Sequence, residues 1–321
     1  MGDPGGIGAE VVLKALAAGV DQQVVIYGSE QVLRMERDAL VGAGVVDAAR
    51  VDEALDDATL VGVAPKIQWD KRPVGPTGAD GAVVQGRALD RAMEDAQQGR
   101  IDAIVTAPWN KALFAANDEP AEGHTERLAR FFGVDDVVMM LGGDRLRVAL
   151  VTTHIPLADV APAIDETAIT TTVKVVIGEL RRWFGIEEPR VAVCGLNPHA
   201  GEQGHMGREE IEVVEPAVDR LASHWQGDAT VEGPFPSDTL FAKFRDAAPY
   251  DAVVCMYHDQ GLIPLKLLHF GASANITLGL PVVRTSVDHG TAYDIAGDGV
   301  ADAGSMRYAL QTAAAMVRRG M

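Results

Sequence analysis

This sequence is short of cations, cysteine, aromatic rings and long apolar runs, and each shortage removes a class of protein from consideration. Lys and Arg total 28 against 46 Asp and Glu, a formal net charge of −18. A field of that sign repels a phosphate backbone and argues against nucleic acid as a partner. The two cysteines, Cys194 and Cys255, sit in the apolar runs VAVCGL and AVVCMY, so each thiol reads as a small buried hydrophobe and no disulfide framework is supported. No apolar run approaches the roughly 20 residues that span a bilayer, and the opening MGDPGGIG has neither the basic start nor the apolar stretch of a secretory signal. A cytoplasmic protein with no membrane partner is expected. With only seven lysines in the chain, a Lys or Arg beside a polar or Gly-rich loop carries more information than usual.

What is present describes an ordinary folded chain. The 321 residues, 47% hydrophobic and 23% charged, allow two domains around proper cores. Short β-branched runs at 24–28, 102–107, 137–141, 147–152, 190–195, 252–257 and 275–280 alternate with amphipathic stretches, the clearest at 83–98, 167–183, 206–223 and 303–319. The alternation predicts α/β layers with helices on the sheet faces. The AEGH and QGDATVEGP stretches read as loops, and the Gly-rich turn GDPGGIG comes first, with no strand ahead of it.

Three histidines occupy one kind of position. His154 follows RVALVTT, His199 follows RVAVCGLNP and His258 follows AVVCMY, each just past the end of an expected buried strand. That edge is where open α/β sheets bind ligands, so three imidazoles delivered there can converge on one divalent metal. Singly, each reads better as a hydrogen-bonded loop histidine; it is the three together that point to a metal. Asp259 can orient His258, or be an exposed loop carboxylate. In GHTE, Thr125 beside His124 either caps the following helix or helps to contact substrate. Lys266, Asn275 and Arg284 lie on three consecutive elements and can clamp a phosphate or carboxylate, or be scattered surface groups. GDPGGIG is not the spaced dinucleotide fingerprint, whereas HGTAYDIAG (289–297) reads as a small-residue turn opening a helix, of the kind that admits a nucleotide.

Taken together, MGDPGGIGAE, GHTERLA, TTHIPL, CGLNPHAGEQGHMGREE, GPFPSDTLF, MYHDQGLIPLK and NITLGLPVVRTSVDHGTAYDIAG resemble the 4-hydroxythreonine-4-phosphate dehydrogenase family of vitamin B6 biosynthesis, in order and through nearly the whole chain. The resemblance implies two α/β domains flanking a cleft, with the architecture of isocitrate and isopropylmalate dehydrogenases. The expected division is 1–108 with 262–321 on the nucleotide side, and 109–261 for metal binding and dimerisation. It further implies metal ligands at His154, His199 and His258, and substrate contacts at His124, Thr125, Lys266, Asn275 and Arg284. Asp238 falls where the family keeps an acidic residue. HGTAYDIAG resembles the nucleotide loop of the wider group, which places His289, Gly290 and Asp294 on the cofactor. The family works as a homodimer in which one metal-binding histidine comes from the partner subunit.

The implied reaction uses NAD (or NADP) and one divalent ion (Zn, Mg, Mn or Co) to oxidise 4-phosphooxy-threonine to a β-keto acid, which loses carbon dioxide to give 3-amino-2-oxopropyl phosphate. Paralogues acting on threonate or erythronate 4-phosphate are the nearest alternative. A metal-dependent phosphatase or aldolase, or a protein that merely binds a phosphorylated ligand, is more distant. The family usually carries a strand before MGDP, which either the sheet lacks or the chain is shortened by. It tends to GDPAGIGPE where this chain has GDPGGIGAE; Gly5 is expected only to loosen the turn, and Ala9 to lose a pre-set helix start.

Overall fold

A computed structural model describes residues 1–115 and 122–320, and the chain divides into two compact units. Unit 1 comprises Met1–Gly133 and Pro281–Ala314; unit 2 comprises Val134–Leu280 and Ala315–Met321. In chain order, unit 1 begins with α1 (Gly8–Ala17), β1 (Val25–Gly28), α2 (Glu30–Gly42), α3 (Ala48–Asp57), β2 (Thr59–Gly62), α4 (Gly78–Gln97), β3 (Ala103–Thr106), α5 (Ala112–Ala115) and α6 (His124–Phe132). Unit 2 then supplies β4 (Val138–Gly142), β5 (Arg147–Leu150), α7 (Val160–Ala163), α8 (Glu166–Phe184), β6 (Arg190–Cys194), α9 (Glu215–His224), β7 (Thr230–Phe235), α10 (Ser237–Ala242), β8 (Ala252–Cys255), α11 (His258–His269) and β9 (Ala274–Leu278). The chain returns to unit 1 with β10 (Val283–Ser286) and enters α12 (Gly304–Gly320).

The strands of unit 2 run in the order β9-β4-β5-β8-β6-β7. β4 is antiparallel to both neighbours, while β5, β8, β6 and β7 are mutually parallel. Parallel strands are covered on both faces and so read as unbroken apolar runs, as AVVC of β8 does with all four residues buried. The core of this unit packs Val148, Leu150, Ala192, Cys194, Val253 and Cys255 against Leu262 and Leu265 of α11. α8 starts where Asp165 accepts a hydrogen bond from Ala168 N–H and stops at Gly185 in the left-handed conformation, a capped helix at both ends. In unit 1, β1 pairs in parallel with β2, and β10 in parallel with β3.

Several expectations need correction. The stretch QGDATVEGP is not all loop, since its second half enters β7, the last strand in the order. Its Gly233–Pro234 pair hid it, and an edge strand is where proline is tolerated. Residues 206–208 are not helical; a single π turn at Glu210–Val214 precedes α9. HGTAYDIAG opens no helix: the segment is a run of turns, and α12 starts only at Gly304. Of AEGH, Ala121 lies outside the described residues, and Glu122 and Gly123 are irregular.

The units also change over at 133/134 and 280/281, not at 108/109 and 261/262. Trp109 packs against Ala82, Leu113 and Phe114, and Arg127 pairs with Asp90 of α4, which ties 109–133 to unit 1. Leu262 and Leu265 anchor α11 in the unit 2 core.

Gly5 does more than loosen a turn. A Cβ there would lie 1.9 Å from the Gly75 carbonyl oxygen, and Gly75 N–H donates to Gly5 O at 2.9 Å. The missing side chain is what lets the two segments touch.

Candidate active site

The three strand-end histidines all belong to unit 2 and follow three neighbouring parallel strands, β5, β8 and β6. Hydrogen bonds tie the first two strand ends together: Val151 N–H donates to Cys255 O at 2.9 Å, and the Thr152 hydroxyl to Met256 O at 2.7 Å. The rings of His154 and His258 lie 5.4 Å apart, centre to centre, tilted by 46°. His258 opens α11, and its Nδ1 meets the Asp259 carboxylate at 2.8 Å. A carboxylate on Nδ1 takes that nitrogen's proton as a hydrogen bond and leaves the Nε2 lone pair for a metal. Gln260 joins the strand ends further: its Oε1 accepts from Met256 N–H at 2.6 Å, and its Nε2 donates to Gly195 O at 2.7 Å and to the Ser237 hydroxyl at 2.9 Å.

His199 is exposed and stands apart in kind. Residues 199–203 all have positive φ, at 53, 49, 77, 43 and 56°, a left-handed turn built mostly of non-glycine residues. The left-handed conformation costs roughly 1–2 kcal/mol for each such residue, so neighbouring contacts must hold it. Among the described residues no group of three metal-ligating side chains is assembled. A single chain therefore brings His154 and His258 together and leaves His199 at the neighbouring strand end. A pair of imidazoles with one nitrogen already engaged fits a transition-metal ion as ligand set, short of a full complement.

The clamp residues divide between the units. Lys266 is half-buried in the last turn of α11, and Asn275 lies on β9 opposite Leu141. The Asn275 Oδ1 is buried with no hydrogen-bond partner among the described residues, an acceptor available to a donor on a ligand. Asp238 is exposed in the first turn of α10.

In unit 1, Arg284 on β10 is buried and donates to the Thr106 hydroxyl at 2.7 Å; burial brings its pKa down to about 10, still cationic at neutral pH. His124 is the first residue of α6, whose N-cap is Gly123, so Thr125 lies inside the first turn and does not cap it. The His124 ring lies 4.5 Å from Trp109, itself stacked on Phe114 at 4.7 Å. Burial, and then the charge of Arg284, hold the His124 imidazole well below its usual pKa, so it is neutral and carries one donor and one acceptor nitrogen.

The turns of 289–297 are anchored by the N-terminal loop. The Asp3 carboxylate accepts from Gly5 N–H and the Thr77 hydroxyl, at 3.0 and 3.1 Å, and also binds the Tyr293 hydroxyl. Ile7 N–H donates to Thr291 O at 3.0 Å. On this frame Gly290 faces open space, Asp294 is exposed and the His289 Nε2 is buried without a hydrogen-bond partner among the described residues, features that fit a ligand-binding loop.

The sequence reading missed Trp109, Gln260 and Glu210. The buried Glu210 was readable as the second acid in REE, but its role depends on a turn that no spacing rule describes.

Residues 20–313 match the family model described as pyridoxal phosphate biosynthetic protein PdxA. A 4-hydroxythreonine-4-phosphate dehydrogenase of Pseudomonas aeruginosa is 43% identical, covering 97% of this chain and 95% of that protein. The crystal structure of a 4-hydroxythreonine-4-phosphate dehydrogenase from Klebsiella pneumoniae is 38% identical, with a TM-score of 0.83 over 99% of this chain and 98% of that one. A terephthalate 1,2-cis-dihydrodiol dehydrogenase from Burkholderia xenovorans is 29% identical, with a TM-score of 0.62 over 95% and 93% of the two chains.

Proposed function

The chain belongs to the PdxA family of pyridoxal phosphate biosynthetic proteins and is a dehydrogenase, and from that premise we propose that it oxidises 4-hydroxythreonine 4-phosphate to a β-keto acid that decarboxylates to 3-amino-2-oxopropyl phosphate. The observation that carries the reading is the strand-end arrangement: His154 and His258 side by side, the latter oriented by Asp259, with His199 past the end of the adjacent strand. We read the native enzyme as a cytoplasmic homodimer, with one of the three histidines supplied by the partner subunit and unit 2 as the metal-binding and dimerising part. No described helix is long and apolar enough to cross a membrane. The kinship with isocitrate and isopropylmalate dehydrogenases is retained as our reading of HGTAYDIAG.

His154, His199 and His258 would hold the divalent ion, and His289, Gly290 and Asp294 the nicotinamide nucleotide. When bound, the ion supplies Lewis acidity toward the substrate hydroxyl and the nucleotide supplies the hydride acceptor. The protein's own side chains do the rest. Lys266 and Arg284 neutralise the phosphate and carboxylate of the substrate, Arg284 as a planar fork and Lys266 as a point charge. Asn275 offers its Oδ1, which has no hydrogen-bond partner among the described residues, to a substrate N–H or O–H. His124, kept neutral and braced by Trp109, positions the substrate by hydrogen bonds and adds no further charge beside Arg284. In an acidic protein, these few cations define where an anionic substrate rests.

The Burkholderia relative, named for a substrate without phosphate, supports one second reading: the scaffold is not tied to a single alcohol, and threonate or erythronate 4-phosphate are alternatives. Assaying 4-hydroxythreonine 4-phosphate beside threonate and erythronate 4-phosphates, with NAD or NADP and a panel of divalent ions, separates them. NADH formation fastest with the amino acid substrate is expected. Turnover of threonate or erythronate 4-phosphate alone moves the enzyme to the paralogous reaction, and turnover undiminished by a chelator contradicts the metal assignment.

A further inference from the structure

We infer that Glu210 is a positioning residue whose carboxylate holds the left-handed turn 199–203 in place and thereby presents His199 to the metal. This rests on the reading of His199 as a ligand and goes beyond it.

The geometry begins with the left-handed run, which Ala200, Glu202 and Gln203 share with His199 and which none of them prefers. Glu210 is fully buried on the π turn that follows. Its Oε1 accepts from the backbone N–H groups of Leu196 and Asn197 at 2.8 and 2.7 Å, and its Oε2 from Asn197 Nδ2 at 2.9 Å. Asn197 Nδ2 also reaches Glu209 at 2.7 Å, and Asn197 O closes the turn by accepting from Ala200 N–H at 3.1 Å. Among the described residues, Glu210 meets three N–H donors and no cation.

A buried carboxylate that answers backbone donors at the entry to a strained turn fixes where that turn starts. The loop is also built around it: a Cβ at Gly195 would lie 3.1 Å from Oε1, and one at Gly201 2.5 Å from Oε2. β6 ends at Cys194, so Glu210 sets the path from that strand end to His199, a ligand that no neighbouring imidazole among the described residues braces.

The test is a cobalt titration of the metal-free, full-length protein, followed by ligand-field absorption and calorimetry well below each variant's melting temperature. Wild type, His199→Ala, Glu210→Ala, Glu210→Gln and Asn197→Ala are compared. Glu210→Ala is expected to weaken cobalt binding about 10- to 100-fold, the usual effect of removing a group that orients a ligand. Glu210→Gln, which keeps one acceptor oxygen, should lose less, and Asn197→Ala, which spares the backbone bonds, less again. Hydrogen exchange of 196–205 should rise in the same order. A merely structural carboxylate would lower the melting temperature and leave the cobalt affinity and spectrum of the folded protein unchanged. Wild-type cobalt binding by both Glu210 variants, with His199→Ala impaired, overturns this inference and leaves the metal reading intact; wild-type binding by His199→Ala overturns both. Should Glu210→Ala fail to fold, Glu210→Gln and Asn197→Ala decide by the same criteria.

Discussion

At the scale of single residues, charge and hydrogen bonding decide what each histidine can do. Asp259 fixes the tautomer of His258, so Asp259→Asn, which can present a donor to Nδ1, should weaken divalent-metal binding about 10- to 100-fold with little change in melting temperature. Calorimetric titration checks this, and unchanged affinity refutes the orienting role. His269 is a different case, buried against Gly143 with no hydrogen-bond partner for its Nε2 among the described residues. Burial, then the nearby Arg145, lowers its pKa in the folded protein. The unfolded chain takes up a proton near pH 6.5 and the folded one does not, so stability from this group is fully present above about pH 6.5 and is lost as pH falls below it. His124 acts in the same direction. Melting temperatures measured from neutral pH down to pH 5.5 should fall, and His269→Gln should fall less steeply; equal slopes would show that His269 does not contribute.

At the scale of elements, close approaches matter more than helix and strand propensities. Gly5→Ala would drive a methyl group into the Gly75 carbonyl and should cost roughly 1–3 kcal/mol in urea unfolding, as other overpacked sites do. An unaltered midpoint would mean that the 75 loop simply moves away. The sequence made the α/β alternation legible because β5, β6 and β8 are covered on both faces and spell themselves as apolar runs. Other elements were hidden for physical reasons. β7 carries the Gly-Pro signature of a turn yet survives at an edge, and β10 includes an arginine that burial makes unexpected in a strand. The strand-end positions of His154, His199 and His258 were legible because chain direction alone sets them. The left-handed turn and its Glu210 anchor were not, since long-range hydrogen bonds stabilise a conformation that local preference opposes.

At the scale of the whole molecule, each unit is assembled from discontinuous stretches of chain, and the proposed ligands segregate with the units. The three histidines, Lys266 and Asn275 belong to one, while His124, Arg284 and the 289–297 turns belong to the other. NAD, if it uses those turns, should protect the protein against heat by mass action, raising the melting temperature progressively with concentration. Absence of any shift at millimolar NAD would remove the nucleotide assignment without touching the metal. The metal assignment carries the central claim, and crystals of the cobalt- or zinc-loaded protein test it most directly through anomalous scattering. The account predicts one strong peak per site within about 2.1 Å of ring nitrogens of His154, His199 and His258, whichever subunit supplies each. A peak elsewhere in an active crystal, or those rings turned from any common point, would contradict it.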